Sequence, residues 1–151
     1  MKTEQVNQLM RKLAWNNLQS DIDSTIDNLI NIDDEKISML ILPDFDKGLW
    51  ENAALVLKRI GYPRIQHVIP ELLGWLKDIN WPGVNTIIEL LRTVDTKSLV
   101  LHVEKVLIKA KDENDDLWIG GIKILLKQTK IRKEDFSNKG IYDILDSIDW
   151  C

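Results

Sequence analysis

Apolar residues recur along most of this chain at helical spacing. Val6, Leu9, Met10 and Leu13 fall at i, i+3, i+4 and i+7, with Thr3 placed to cap a first helix. Ile22, Ile26, Leu29 and Ile30 repeat the pattern behind Ser20 or Asp21, and Ser20 with Asp23 has the spacing of a capping box with a shortened acid. The period lapses between Asn31 and Asp46, where the apolar run Met39 to Leu42 ends at Pro43. No second strand-like run exists to pair with it, so it reads as a short helix or a buried loop. From Asp46 onward the rhythm returns. Leu49, Ala53, Val56, Leu57 and Ile60 line one face, and Gly61-Tyr62-Pro63 stops that helix. Ile65, Ile69, Leu72, Leu73 and Leu76 predict a helix over about residues 64 to 77, which Pro70 either kinks or begins. Later faces are Val84, Ile87, Ile88 and Leu91, then Leu99, Val103, Val106, Leu107 and Ala110 behind Asp95 or Thr96, then Trp118, Ile122, Leu125 and Leu126. A turn near Lys133 to Phe136 leads to Ile141, Ile144, Leu145 and Ile148.

Three of these helices open alike. Asp46 precedes Trp50, Asp78 precedes Trp81, and Asp115 precedes Trp118, with an amphipathic stretch after each. The steps between the tryptophans are 31 and 37 residues, close to the period of two-helix repeats. An acid at a helix start meets the helix dipole and unpaired N–H groups, and a Trp in the first turn covers the seam to the next hairpin. A lone hairpin cannot bury its apolar stripe, so such units stack. The expected fold is all-α: a single domain over 1–151, built as a short HEAT-like α-solenoid of stacked helix hairpins. Residues 1–35 form an N-terminal cap, 46–128 the repeat core, and 131–151 a C-terminal cap.

Composition adjusts this picture in few places. A chain of 151 residues with 44% hydrophobic and 29% charged positions builds a core without metals or disulfides. The net charge of −4 argues against nucleic acid as a ligand, since phosphate contacts need a surplus of Lys and Arg. The densest cations, Lys123, Lys127, Lys130, Arg132 and Lys133, read more simply as a solvated helix end. The single cysteine, Cys151, allows no internal disulfide, and no apolar run nears the ~20 residues of a membrane span. A cytoplasmic protein with no membrane contact is the expectation.

The stretch Glu71 to Pro82, reading ELLGWLKDINWP, resembles the signature of a small bacterial family known as domain of unknown function 5071. In that family a leucine-rich helix end runs into a Trp-Leu-x-Asp-x-Asn-Trp-Pro turn. Asp115-Asp116-Leu117-Trp118 is similar to its later acid-acid-apolar-Trp element, and Asp44, Asp46 and Gly61-Tyr62-Pro63 flank its first helix. The resemblance covers about residues 40 to 128. It implies HEAT-like helices and no established activity. The chain departs from the pattern at Gly120-Gly121, where bulkier residues are expected.

Catalytic and metal chemistry finds no framework. His67 and His102 have no partner at metal-ligand spacing. Asp112-x-Asn114-x-Asp116 begins like a calcium loop, but Leu117 stands where the turn needs Gly, and Lys123 stands where the bidentate Glu belongs. Asp44-x-Asp46 fails likewise at Leu55. Gly120-Gly121 matches no phosphate loop and reads as a close helix approach. Cys151 has no group beside it in sequence to activate it. No cofactor and no metal are expected.

The leading expectation is a non-catalytic protein-binding module, in concrete form an immunity protein that neutralises a basic bacterial toxin. Its candidate contacts are Asp44, Asp46, Asp78, Trp81, Asp112, Glu113, Asp115, Asp116 and Trp118. The same acids serve as helix caps, and the two roles are compatible. Two alternatives stay open: an adaptor in a larger assembly, and an enzyme or small-ligand protein with a site lined by Trp75, Trp81, Trp118 and His67.

Overall fold

A computed structural model describes residues 1–44 and 46–148. Among them the chain is all-α, with no strand. The α-helices are α1 (Thr3–Arg11), α2 (Gln19–Leu29), α3 (Trp50–Ile60), α4 (Ile69–Leu73), α5 (Val84–Leu91), α6 (Thr96–Asp112), α7 (Asp116–Lys127) and α8 (Lys139–Tyr142). Short 3-10 turns join them at Asp34–Leu40, Lys47–Leu49, Gln66–Val68, Gly74–Lys77, Lys133–Asp135 and Asp143–Ser147.

The periodic faces of the sequence become the core. Buried apolar side chains from Val6 to Ile148 form one continuous cluster, with Leu13, Leu57, Ile69, Trp75, Leu91 and Ile122 among those fully out of solvent. Helices pack mainly on near neighbours: α1 on α2, α2 on α3, α3 on α5, α4 on α6, and α6 on α7. The Asp143–Ser147 turn closes against α6 and α7. No helix among the described residues is long and apolar enough to cross a membrane.

Several elements differ in detail from the periodicity. The expected helix over 64 to 77 is broken into a 3-10 turn, the short α4 and a second 3-10 turn. Pro70 lies in the first turn of α4, so it begins the helix: a residue without an N–H costs least where that N–H has no intrahelical partner. Lys2, not Thr3, is the N-cap of α1, and Gln5 accepts the Lys2 N–H at 2.8 Å. Helix α2 starts at least two residues early, at Gln19 behind Leu18, so Ser20 and Asp23 lie inside it; Asp23 accepts a bond from the Gln19 side chain instead. Asp95 caps α6 by accepting from Ser98 N. The apolar run before Pro43 pairs with no strand: it ends the 3-10 turn Asp34–Leu40, Ile41 alone is extended, and Leu42 turns the chain at φ 44°.

Two glycines set how closely elements meet. Gly83 has φ +90°, and a Cβ there would stand 3.0 Å from Ala54 Cβ, Trp50 O and Trp75 Cζ2. Gly121 sits inside α7, where a Cβ would fall 1.9 Å from Leu76 O. The missing side chain lets α7 lie directly on the Gly74–Lys77 backbone, so the departure at Gly120-Gly121 marks a helix contact.

Candidate functional site

The indoles tie turns to their own neighbourhood and, at Trp118, to a distant one. Trp50 opens α3, is almost fully buried, and donates Nε1–H to Pro43 O at 2.8 Å. Trp75 is wholly buried and donates to Pro82 O at 2.8 Å. Trp118 lies in the first turn of α7 and donates to Leu73 O at 3.0 Å, across 45 residues of sequence. Trp50 meets Trp75 and Trp81 edge-on, with ring centroids 6.1 and 5.5 Å apart. Edge-to-face contact suits the indole quadrupole, and each bonded N–H lets the ring be buried without an orphaned donor.

Each repeated acid takes a backbone N–H, though not always at a helix start. Asp46 Oδ1 accepts from Gly48 N at 3.0 Å in the 3-10 turn that leads into α3. Asp115 Oδ1 accepts from Trp118 N at 3.1 Å and caps α7. Asp78 accepts from Asn80 N at 2.8 Å, but α5 begins only at Val84. The second copy is therefore a turn: Trp81 stands before the helix, half-buried, because Pro82 and left-handed Gly83 bend the chain between them. Asp44 is exposed and follows the carbonyl that receives Trp50. Asp112 ends α6, Glu113 follows it, Asn114 turns the corner at φ 54°, and Asp116 opens α7; all four are exposed.

Among the described residues, five acids pair with lysine or arginine. Asp27 pairs with Arg59, Asp34 with Arg64, Glu89 with Lys58, Asp33 with Lys36, and Asp143 with Lys133. Those pairs hold one element to another or brace a turn. Among the described residues, no ion pair engages Asp44, Asp46, Asp78, Asp112, Glu113, Asp115 or Asp116. Three lysines near these acids in sequence lie over indole rings. Lys47 Nζ is 5.4 Å from the Trp50 ring and 5.6 Å from Trp81, while Lys77 and Lys109 stand 4.5 and 6.0 Å from Trp118. Sequence reasoning missed these lysines. Only Lys47, three residues before Trp50, carries a local signal.

His67 does not join the tryptophans. It is exposed, with Nε2 2.9 Å from Asp34 O, beside an Arg64 guanidinium that donates to Ile30 O, Ile32 O and the Asp34 carboxylate. His102 is half-buried on α6, and burial, then Lys105, pushes its pKa down. Glu104 is buried and accepts both the N–H and the hydroxyl of Ser137, at 2.6 and 2.7 Å, which ties the chain before α8 onto α6. No group of three or more metal-binding side chains occurs among the described residues. An open groove of about 490 Å³ runs between α1 and α2, lined by Gln5, Gln8, Leu9, Lys12, Asn28 and Asn31, away from the indoles. Cys151 lies outside the described residues.

The family described as "Domain of unknown function (DUF5071)" matches the chain over residues 46–144. The match begins later than the resemblance read at about residue 40 and runs past 128 through α8. No curated protein and no solved structure matches the chain.

Proposed function

The chain belongs to the DUF5071 family, and on that premise we propose that it is a non-catalytic protein-binding module for a basic polypeptide. Its architecture is read as a short HEAT-like solenoid in which residues 1–35 and 131 onward close the two ends. Packing of each helix on near neighbours in the chain, and indole N–H bonds across successive turns, support that arrangement.

The observation that carries the functional reading is the set of acids around the indole turns that take part in no ion pair among the described residues. Five described carboxylates pair with lysine or arginine; the seven beside the indole turns are among the rest, exposed or half-exposed and in no such pair. Asp46, Asp78 and Asp115 spend only one oxygen each on a backbone N–H. Unpaired carboxylates on a rigid helical frame raise the local concentration of a cationic partner and accelerate its encounter. In concrete form the module is an immunity protein that masks a cationic toxin inside the cell that makes it.

The test is calorimetry with the polypeptide encoded beside this gene. Binding is expected to weaken steeply with salt. It should fall about tenfold or more when Asp78, Asp115 and Asp116 are all changed to Asn, since each lost charge pair contributes about 0.5–1 kcal/mol. Affinity indifferent to both salt and these substitutions refutes the reading.

A further inference from the structure

Trp15 departs from the pattern of the other described indoles. Trp50, Trp75 and Trp118 are buried, whereas Trp15 is 73% exposed in the loop between α1 and α2. That exposure is not looseness. Trp15 N donates to Gly48 O at 3.2 Å, Leu13 O accepts from the buried Asn52 side chain at 2.7 Å, and Asn17 Nδ2 donates to Lys12 O at 2.9 Å. The ring edge rests on Gly48, where an added Cβ would meet Trp15 Cδ1 at 3.0 Å and Nε1 at 3.4 Å. The loop thus presents an indole whose ordering cost is met before any partner arrives.

The surroundings define what this indole suits. The same point on Gly48 lies 3.6 Å from Asp46 Cγ, so the ring and a carboxylate flank one glycine. Asp46 is exposed, makes no ion pair, and uses Oδ1 on Gly48 N. Leu18, 71% exposed, adds an apolar neighbour three residues on. Elsewhere the chain's own lysines cover indole faces: Lys47 at Trp50 and Trp81, Lys77 and Lys109 at Trp118.

We propose that Trp15, with Asp46, is the anchor that receives an arginine side chain of the basic partner. A planar guanidinium stacks on an indole face and forks its N–H groups to a carboxylate, which a lysine ammonium does less well. Tryptophan is also a residue type that dominates binding energy at interfaces. A second copy of this chain fits poorly: Trp15 and Leu18 fall far short of the roughly 800 Å² per partner that a stable dimer buries. The proposal rests on the basic-partner reading and gives it a centre outside the acids named from sequence alone, apart from Asp46.

The test titrates isotope-labelled protein with three blocked heptapeptides in which glycine alternates with arginine, lysine or citrulline. The Trp15 indole N–H resonance, identified by its loss in Trp15→Phe, should move with the arginine peptide, less with lysine, and not with neutral citrulline. Trp15→Ala should weaken the arginine peptide about fivefold. Asp46→Asn should weaken it while keeping the turn, because Asn caps as well as Asp. Circular dichroism of both variants checks that the helices persist. Equal shifts with arginine and citrulline, unchanged affinity in Trp15→Ala, or a dimer in sedimentation that Trp15→Ala dissolves would each overturn the anchor. Binding that survives Trp15→Ala yet vanishes in Asp78→Asn with Asp115→Asn removes the anchor and leaves the basic-partner reading standing. No charge-dependent shift of any resonance removes both.

Discussion

Gly121→Ala is the sharpest test of how the helices are held. In an exposed helix interior, replacing Gly by Ala stabilises by roughly 1 kcal/mol, because Ala loses less backbone entropy. The geometry reverses that sign here. A Cβ on residue 121 would lie 1.9 Å from Leu76 O, so α7 and the Gly74–Lys77 turn must part by about 1.1 Å to reach even the 3.0 Å floor of real Cβ contacts. The obstacle is backbone, not a side chain that swings aside. Trp118, three residues before Gly121, is bonded to Leu73 O, three residues before Leu76, so the same shift strains that bond. Overpacking of this kind costs about 1–3 kcal/mol or more beyond the propensity gain. A net loss near 2 kcal/mol is expected, or about 4–8 °C in melting temperature for a chain this long. Gly74→Ala is the control: nothing lies within 4 Å of its Cβ and φ is −64°, so it should be neutral or stabilise by up to about 1 kcal/mol. Urea unfolding followed by circular dichroism and indole fluorescence measures both. A Gly121→Ala protein as stable as the parent would show that α7 does not rest on Leu76.

Three further outcomes follow from named bonds. Trp118→Phe keeps most of the ring but leaves Leu73 O without its donor, and should cost about 1–3 kcal/mol in urea unfolding; a loss under about 0.5 kcal/mol refutes the role of that bond. Glu104→Gln keeps the shape but lets only one amide oxygen accept where two carboxylate oxygens held Ser137, so hydrogen exchange should rise about tenfold in residues 137 to 142, with α1 and α2 unchanged. In acid, Glu89 is held below its usual pKa by the bond from Lys58, and Asp33 by the Met1 amino group and Lys36. Both groups therefore add stability above about pH 4.5, the upper end of the ordinary carboxylate range, and lose it as pH falls through their lowered folded values. Because the Lys58–Glu89 pair is exposed and the Asp33 pairs are partly so, added salt should flatten this acid limb, and a limb unmoved by salt would contradict the assignment.

The helices themselves were legible in the chain because their causes are local. Apolar spacing gave α3, α6 and α7, Gly61 ended α3, and Asp95 and Asp115 capped α6 and α7, all through contacts within about one helical turn. The same reach explains the failures. Periodicity could not distinguish a continuous helix over 64 to 77 from short α and 3-10 pieces, since both bring Ile69, Leu72, Leu73 and Leu76 inward. Nor could it tell that Trp81 stands in a turn, for Pro82 and Gly83 act one residue later. What only the tertiary structure decided spans 30 residues or more: Trp118 on Leu73, Gly121 on Leu76, Glu104 on Ser137, Arg64 on Asp34, and Trp15 on Gly48. Such contacts depend on where whole helices come to rest. That position is set by the summed packing of many side chains, and no short stretch of sequence records it.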